Sequence, residues 1–222
     1  MDQLVAIVPM RHNSQRVSGK NYRDFAGEPL YRRIIATLLE TDGIDRVVID
    51  TDSPTIMEDA AAHFPTLTLL ERPLHLRAGE TPMNDVLLHT IDQVPAQFYL
   101  QTHSTNPLLR PQTISAAVSQ FLAQFPSYDS LFGVTRLQTR LWDQLARPVN
   151  HNPSILLRTQ DLPPLYEENS NLYIFTAATL RTRHNRIGER PILFEIDRLE
   201  AWDIDEETDF RIAETLYRMR VG

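Results

Sequence analysis

The chain has 222 residues, 23% charged and 42% hydrophobic, with a formal net charge of −7 and no cysteine. That length suits one domain with a full core, and without thiols there is neither a disulfide framework nor a thiolate metal site. No apolar run approaches the roughly 18 residues that span a bilayer, and no extended basic stripe offsets the acidic balance, which argues against broad nucleic-acid binding.

The opening residues, MDQLVAIVPM, lack a basic region ahead of their short apolar run and read as a strand, not a signal peptide. A cytoplasmic location is the expectation. LVAIVP is continuously apolar, as a parallel strand buried on both faces should be. EPLYRRIIATLLETDG has apolar spacing near 3.6 and predicts a helix ending at Gly43. Strand and turn follow in IDRVVIDTDSP, a helix in PTIMEDAAAHF, a strand in LTLLERP and a helix in PMNDVLLHTIDQV. AQFYLQTHSTNPLL is a strand running into a polar loop, and PQTISAAVSQFLAQF a helix with Pro at its start. This alternation predicts an α/β fold, a mainly parallel sheet with helices on both faces.

The rhythm changes in the stretch from Tyr128 to Asn169, which is rich in Pro, Asn and short β-like pieces. It reads as an inserted arm at about 136–165 instead of a further β-α unit. The alternation is expected to return with SNLYIFTAATLRTRH, PILFEI, EAWDID and a last amphipathic helix, EETDFRIAETLYRMR. No linker divides the chain, so residues 1–222 are expected to form a single domain with an arm.

Ligands of open parallel sheets bind beyond the carboxyl ends of the strands. Three polar loops fall there, at 9–21, 101–107 and 203–209. The first gathers Arg11, Arg16 and Lys20, with Arg23 just beyond it, in an acidic protein, and Asn13, Ser14 and Asn21 lie among them. Such a loop can aim amides, hydroxyls and fixed cations at a phosphate chain, although it has neither glycine-rich spacing. A solvated loop whose arginines pair with carboxylates is the plain alternative. In AWDIDEETDF, Asp203 and Asp205 lie two apart on an extended segment, so both carboxylates point one way and suit Mg²⁺. Glu206 and Glu207 read as the acidic first turn of a helix. Gln101, His103, Ser104, Thr105 and Asn106 offer neutral donors and acceptors for sugar hydroxyls or a base edge. A His103–Ser104 base and nucleophile is disfavoured, since adjacent residues rarely have that geometry. The remaining histidines show no ligand spacing.

RHNSQRVSGKN resembles the Arg-x-(Gly/Asn)-Ser, five residues, Lys-Asn pattern of the acylneuraminate cytidylyltransferases, the CMP-sugar synthetases. Four further stretches fall in order. ERP with ETPMN resembles the family's Arg-Pro and Thr/Ser-rich segment, and LQTHSTNPLL its Leu-Gln-Pro-Thr-Ser-Pro-Leu loop. QDLPPLYEENSNLYIF resembles Gln-x-Leu-Pro followed by Asn-Gly-x-x-Tyr, and WDIDEETDF resembles Ile-Asp-Ile-Asp-Thr-x-x-Asp. The resemblance implies a fold of the nucleotide-diphospho-sugar transferase type and transfer of CMP from CTP to an acidic sugar, a nonulosonic acid or Kdo, with release of pyrophosphate. It implies that Arg11, Ser14 and Lys20 hold the triphosphate, that Asn13, Asn21, Arg72 and Thr81 serve the nucleotide, and that Arg72 reads the base. Gln101, Ser104, Asn106, Asn169 and Tyr173 would meet the sugar, Asp203 and Asp205 the metal, and the arm a second copy in a homodimer. Arg11, Lys20 and the two aspartates would then be catalytic.

Three positions depart from the pattern. The Gln101 loop is two residues longer, Gln15-Arg16 replaces Lys-Gly, and Glu167 stands where relatives carry Arg. A negative charge at Glu167 disfavours a carboxylate acceptor unless another arginine, such as Arg158, compensates. The alternatives are a nucleotidyltransferase of the same fold with another sugar or a phosphonate as acceptor, and a catalytically silent nucleotide-sugar-binding protein.

Overall fold

A computed structural model describes residues 2–14 and 16–221; Gln15, one of the departures above, lies outside the described residues. Strand β1 (Asp2–Met10) is buried from Leu4 onward. Its alternate side chains enter opposite cores, which is why its sequence is apolar without a period of two. Leu4, Ala6, Val8 and Met10 face one way, Val5 and Ile7 the other. A small hairpin, β2 (Asp24–Phe25) and β3 (Glu28–Pro29), precedes helix α1 (Leu30–Leu39). The helix therefore starts two residues later than its periodicity suggests. It also ends before Gly43, whose φ of +90° serves the turn beyond.

The chain continues through β4 (Arg46–Thr51), α2 (Pro54–His63), β5 (Thr68–Glu71), α3 (Met83–Gln93), β6 (Ala96–Thr102) and α4 (Pro111–Gln124). Then come β7 (Ser130–Leu137), β8 (Leu165–Thr176), α5 (Ala177–Arg183), β9 (Pro191–Glu195) and α6 (Glu207–Val221). The main sheet has the order β5-β4-β1-β6-β8-β7-β9. Its pairs are parallel except those of β8, which runs against both β6 and β7. The expected mainly parallel α/β sheet with helices on both faces is thus present.

One face packs Ile34 and Ile35 of α1, Ile56 of α2 and Ile114 and Phe121 of α4 against β1. The other receives Leu87 and Ile91 of α3 and Leu180 of α5. A third cluster joins Val17 of the first loop, Phe25 and Leu30 to Ile204, Phe210 and Ala213. Burying a side chain such as Phe210 contributes about 1.5–3 kcal/mol, so α6 ties the 203–205 segment to the first loop.

Two expectations need correction. The irregular stretch does not begin near Tyr128, because β7 is a full strand of the main sheet; the arm proper lies between Leu137 and Leu165. EAWDID forms no strand: Ala201 N–H turns back to the Asp197 carbonyl, and Ile204 N–H reaches the Thr105 carbonyl at 3.0 Å. The segment crosses the end of β6 instead of adding a strand. The arm is organised around buried Asn150, which accepts from Leu141 N–H and donates to the Thr139 carbonyl. Trp142, Leu145, Ile155 and Leu156 of the arm are exposed.

Candidate active site

The three polar loops meet beyond the carboxyl end of the sheet around a cavity of about 440 Å³. Its lining includes Arg11, Asn13, Ser14, Arg16, Lys20 and Asn21 from the first loop. Arg72 and Thr81 come from the segment after β5, Ser104 from that after β6, and Asp203 and Asp205 from that before α6. Gly19 makes the approach to Lys20 possible. Its φ is +61°, and a Cβ there would lie 2.8 Å from the Tyr22 ring.

Ile204 is the hub. Fully buried, it offers its carbonyl to Lys20 Nζ at 2.5 Å while its N–H is held by Thr105. Asp203 and Asp205 flank this fixed residue, so the two carboxylates and the Lys20 ammonium are placed by one backbone unit. Burial lowers the Lys20 pKa, opposed by the nearby Asp203 and Asp205 charges. Burial also raises the pKa of Asp203, which accepts from Asn106 Nδ2 at 3.3 Å. Asp205 pairs with Arg16 at 2.6 Å, both largely open to solvent. Such exposed pairs contribute under about 1 kcal/mol, so another cation can displace Arg16 at little cost. A half-buried carboxylate near the Lys20 ammonium, beside a second with an exchangeable partner, fits a hard divalent cation that brings its remaining ligands as water and phosphate.

The other first-loop groups are oriented by backbone ties. Asn21 donates to the Arg11 carbonyl at 2.9 Å and accepts from Ser104 Oγ at 2.8 Å, linking two of the loops. Arg11 donates to the Gly79 carbonyl at 2.8 Å. Arg72, only 2% exposed, donates from Nε to Asp50 at 2.6 Å and from Nη2 to the Asp50 carbonyl at 3.0 Å. Whatever it presents to the cavity, it also neutralises a fully buried aspartate.

A second cavity of about 420 Å³ shares Ser170, Asp203 and Asp205 with the first. It is lined further by Asn169, Glu167, Glu168, Arg198 and Asp209. Asn169 donates to Thr135 Oγ1 at 3.1 Å and accepts from Asn171 N–H at 3.2 Å. It can lie over β7 because residue 133 is Gly: a Cβ there would sit 2.7 Å from Asn169 Oδ1. Ser170 occupies the glycine position of the Asn-Gly-x-x-Tyr pattern and keeps the left-handed φ, +57°.

Gln101, Asn106 and Tyr173 are brought close but line neither cavity. Asn106 holds Asp203. Gln101 and Tyr173 are fully buried, the first engaged by Arg186, Thr102 and His103, the second by Glu168 and Ser170. Arg158 does not offset Glu167 in the way suggested above: 74% exposed, it pairs with Asp161 on the arm. The arginine lining the second cavity is Arg198. Sequence reasoning missed Arg186 and Arg198, each one basic residue among many with no spacing to mark it.

A basic, phosphate-sized cavity joined through two carboxylates to a second polar cavity, at the carboxyl end of such a sheet, defines a nucleotidyltransferase class of site. Residues 5–221 match the cytidylyltransferase family, and the chain belongs to it. It is 25% identical to a pseudaminic acid cytidylyltransferase of Campylobacter jejuni over 97% of this chain and 96% of that protein. It is 26% identical to a CMP-N,N'-diacetyllegionaminic acid synthase of Legionella pneumophila over 98% and 97%. An N-acylneuraminate cytidylyltransferase of Danio rerio is 26% identical over 94% of this chain and 49% of its own length. The resemblance to CMP-sugar synthetases is therefore borne out, and the chain is an enzyme of the nucleotidyltransferase type. Among solved structures, CMP-2-keto-3-deoxy-manno-octonic acid synthetase in complex with CTP superposes with a TM-score of 0.73 at 14% identity, covering 98% and 99%. A 4-diphosphocytidyl-2C-methyl-D-erythritol synthase gives 0.70 at 12%, covering 98% and 100%, which shows the shared fold. Among the described residues no helix is long and apolar enough to cross a membrane.

Proposed function

We propose that the protein transfers the cytidylyl group of CTP to a hydroxyl of a sugar acid, of nonulosonic or Kdo type, releasing pyrophosphate. The observation that carries this reading is the pair of adjoining cavities that share Asp203 and Asp205. One is built for a phosphate chain, the other for a polyhydroxylated acceptor, and group transfer between them passes the two carboxylates. Arg11, Asn13, Ser14 and Lys20 hold the triphosphate; Asn21, Arg72 and Thr81 serve the nucleoside; Ser104 and Asn169 meet the acceptor. The acceptor oxygen bonds to the α-phosphorus, the bond from that phosphorus to the bridging oxygen of pyrophosphate breaks, and the hydroxyl proton is lost to solvent. Lys20, held among the carboxylates with little freedom to reorganise, faces the charge that develops on the leaving group. Asp203 and Asp205 would hold Mg²⁺, which when bound neutralises phosphate charge and lowers the pKa of the attacking hydroxyl. Action in the cytoplasm as a homodimer joined by the arm belongs to the same reading; what supports the dimer is the exposed apolar set on 142–156.

A second reading, with a different sugar or a phosphonate as acceptor, is favoured by Glu167 and Glu168 in the second cavity, where Arg198 is the one arginine among its lining residues. Pyrophosphate release with CTP and Mg²⁺ across sialic-type acids, Kdo, neutral sugars and small phosphonates separates the two. Release dependent on a sugar acid supports the first and release dependent on another acceptor the second. CTP binding with no release from any acceptor would favour a silent binding protein.

A further inference from the structure

Beneath the first cavity lies a chain of polar contacts whose directions can be worked out from chemistry alone. Gln101 is fully buried at the end of β6. Its Oε1 accepts from Arg186 Nη1; its Nε2 donates to the Thr102 carbonyl at 3.0 Å and lies 3.0 Å from His103 Nε2. An arginine can only donate and a backbone carbonyl can only accept. The amide is therefore fixed at both ends, oxygen toward Arg186 and nitrogen toward Thr102 and His103. His103 Nε2 must accept, and a neutral imidazole then carries its proton on Nδ1. Nδ1 makes no hydrogen bond among the described residues, and His103 lines the first cavity. Burial, with Arg186 and Lys20 nearby, holds the His103 pKa down at about 3.

Arg186 is itself set in place. Its guanidinium stacks 3.6 Å from the centre of the Tyr173 ring, on β8 beside Gln101. Tyr173 in turn donates its one proton to Glu168 and accepts from Ser170 Oγ, and Ser170 lines both cavities. Ser170, Asp203 and Asp205 line both cavities, so an acceptor seated in the second reaches the first, which His103 lines from the loop after β6 while the phosphate-suited groups come from the first loop.

We propose that Arg186 is a positioning residue that acts through Gln101 to present His103 Nδ1–H to the cavity as a permanent donor for an anionic or carbonyl oxygen of the acceptor. The ligand's identity rests on the cytidylyl-transfer reading; the relay does not. In this arrangement His103 is no general base, since its free nitrogen already carries the proton and the other is engaged. It selects for an oxygen that accepts, such as that of a sugar carboxylate, over a group that must donate.

The test is nitrogen-15 NMR of the histidine side chains between pH 6 and 8, with the His103 signals identified by their loss in His103→Asn. Wild type should show protonated Nδ1 and bare Nε2. Arg186→Met frees the amide to turn, so a second tautomer should appear and the acceptor KM should rise about tenfold, the worth of one hydrogen bond, with the KM for CTP little changed. Arg186→Lys, which also only donates, should keep the wild-type tautomer. A wild-type proton on Nε2 overturns the proposal without need of any variant. So does an Arg186→Met protein with unchanged tautomer and acceptor KM. Absence of turnover with every sugar acid, alongside the Nδ1–H tautomer and its loss in Arg186→Met, supports the positioning role and overturns only the reaction from which the ligand was named.

Discussion

Replacing Arg72 by Met separates two jobs that one side chain carries. The Arg72–Asp50 pair is 2.6 Å long, with side chains 3% and 0% exposed. Without the guanidinium, Asp50 keeps one side-chain donor, Thr90 Oγ1 at 2.9 Å, for a charge that water cannot reach. Removing one partner of a buried pair costs about 3–5 kcal/mol. A chain of this length loses about 2–4 °C of Tm per kcal/mol, so Arg72→Met should melt about 6–20 °C lower. Asp50→Leu made in the same chain removes the stranded charge, and the one proton of Thr90 Oγ1 can turn to the Val86 carbonyl, 3.0 Å away. The double variant should recover most of the loss in urea denaturation, a coupling that neither single variant shows alone. If Arg72 also contacts the nucleotide base, CTP affinity stays weak in the recovered double variant. A loss below about 1 kcal/mol for Arg72→Met would place the pair with exposed salt bridges and refute the reasoning.

Asp203→Asn should lower turnover at least about 100-fold. It should also be more stable than wild type at pH 7. Burial raises the folded carboxyl pKa, so the native state binds more protons than the unfolded chain, and ionisation costs stability as pH rises. In paired denaturation curves the advantage should vanish as pH falls below the unfolded value of 3.8; an advantage that persists there would exclude ionisation as its cause. Lys20→Met should lower kcat by about 10²–10³ with a smaller change in CTP affinity; the reverse split, measured by single-turnover kinetics and titration, would reduce Lys20 to a binding group. Ser170→Gly should raise stability by about 0.5–1 kcal/mol by relieving the left-handed φ, checked by chemical denaturation. Gly133→Ala should push Asn169 aside and raise the acceptor KM at unchanged CTP affinity, and equal KM values would remove Asn169 from the acceptor site.

What the residues disclosed depended on how local their reason was. β1 was legible because burial on both faces leaves a continuous apolar run, and Asp203 and Asp205 because two carboxylates around Ile204 stand just ahead of a helix. The direction of β8 was not, since an apolar run has no polarity. The clue lay in the missing crossover: parallel neighbours need a long return, usually helical, whereas antiparallel ones can be joined by an irregular loop. Arg72 was named through a family pattern, yet Asp50 lies 22 residues away on another strand and nothing in its own neighbourhood marks it. Gln101 was read from its side-chain type as a sugar contact. It is completely buried, and its oxygen is taken by Arg186, which arrives from beyond α5.

The reversed polarity of β8 has a consequence for how such enzymes can change. Because the strand enters the sheet from the site end, Glu167, Glu168, Asn169 and Ser170 follow directly on the arm in one stretch of chain. The groups around the triphosphate-sized cavity come almost wholly from elsewhere, before residue 106 and after residue 202. A single exchanged segment, 138–170, could therefore bring a new lining to the second cavity together with a new outer surface, while the first cavity is inherited almost untouched.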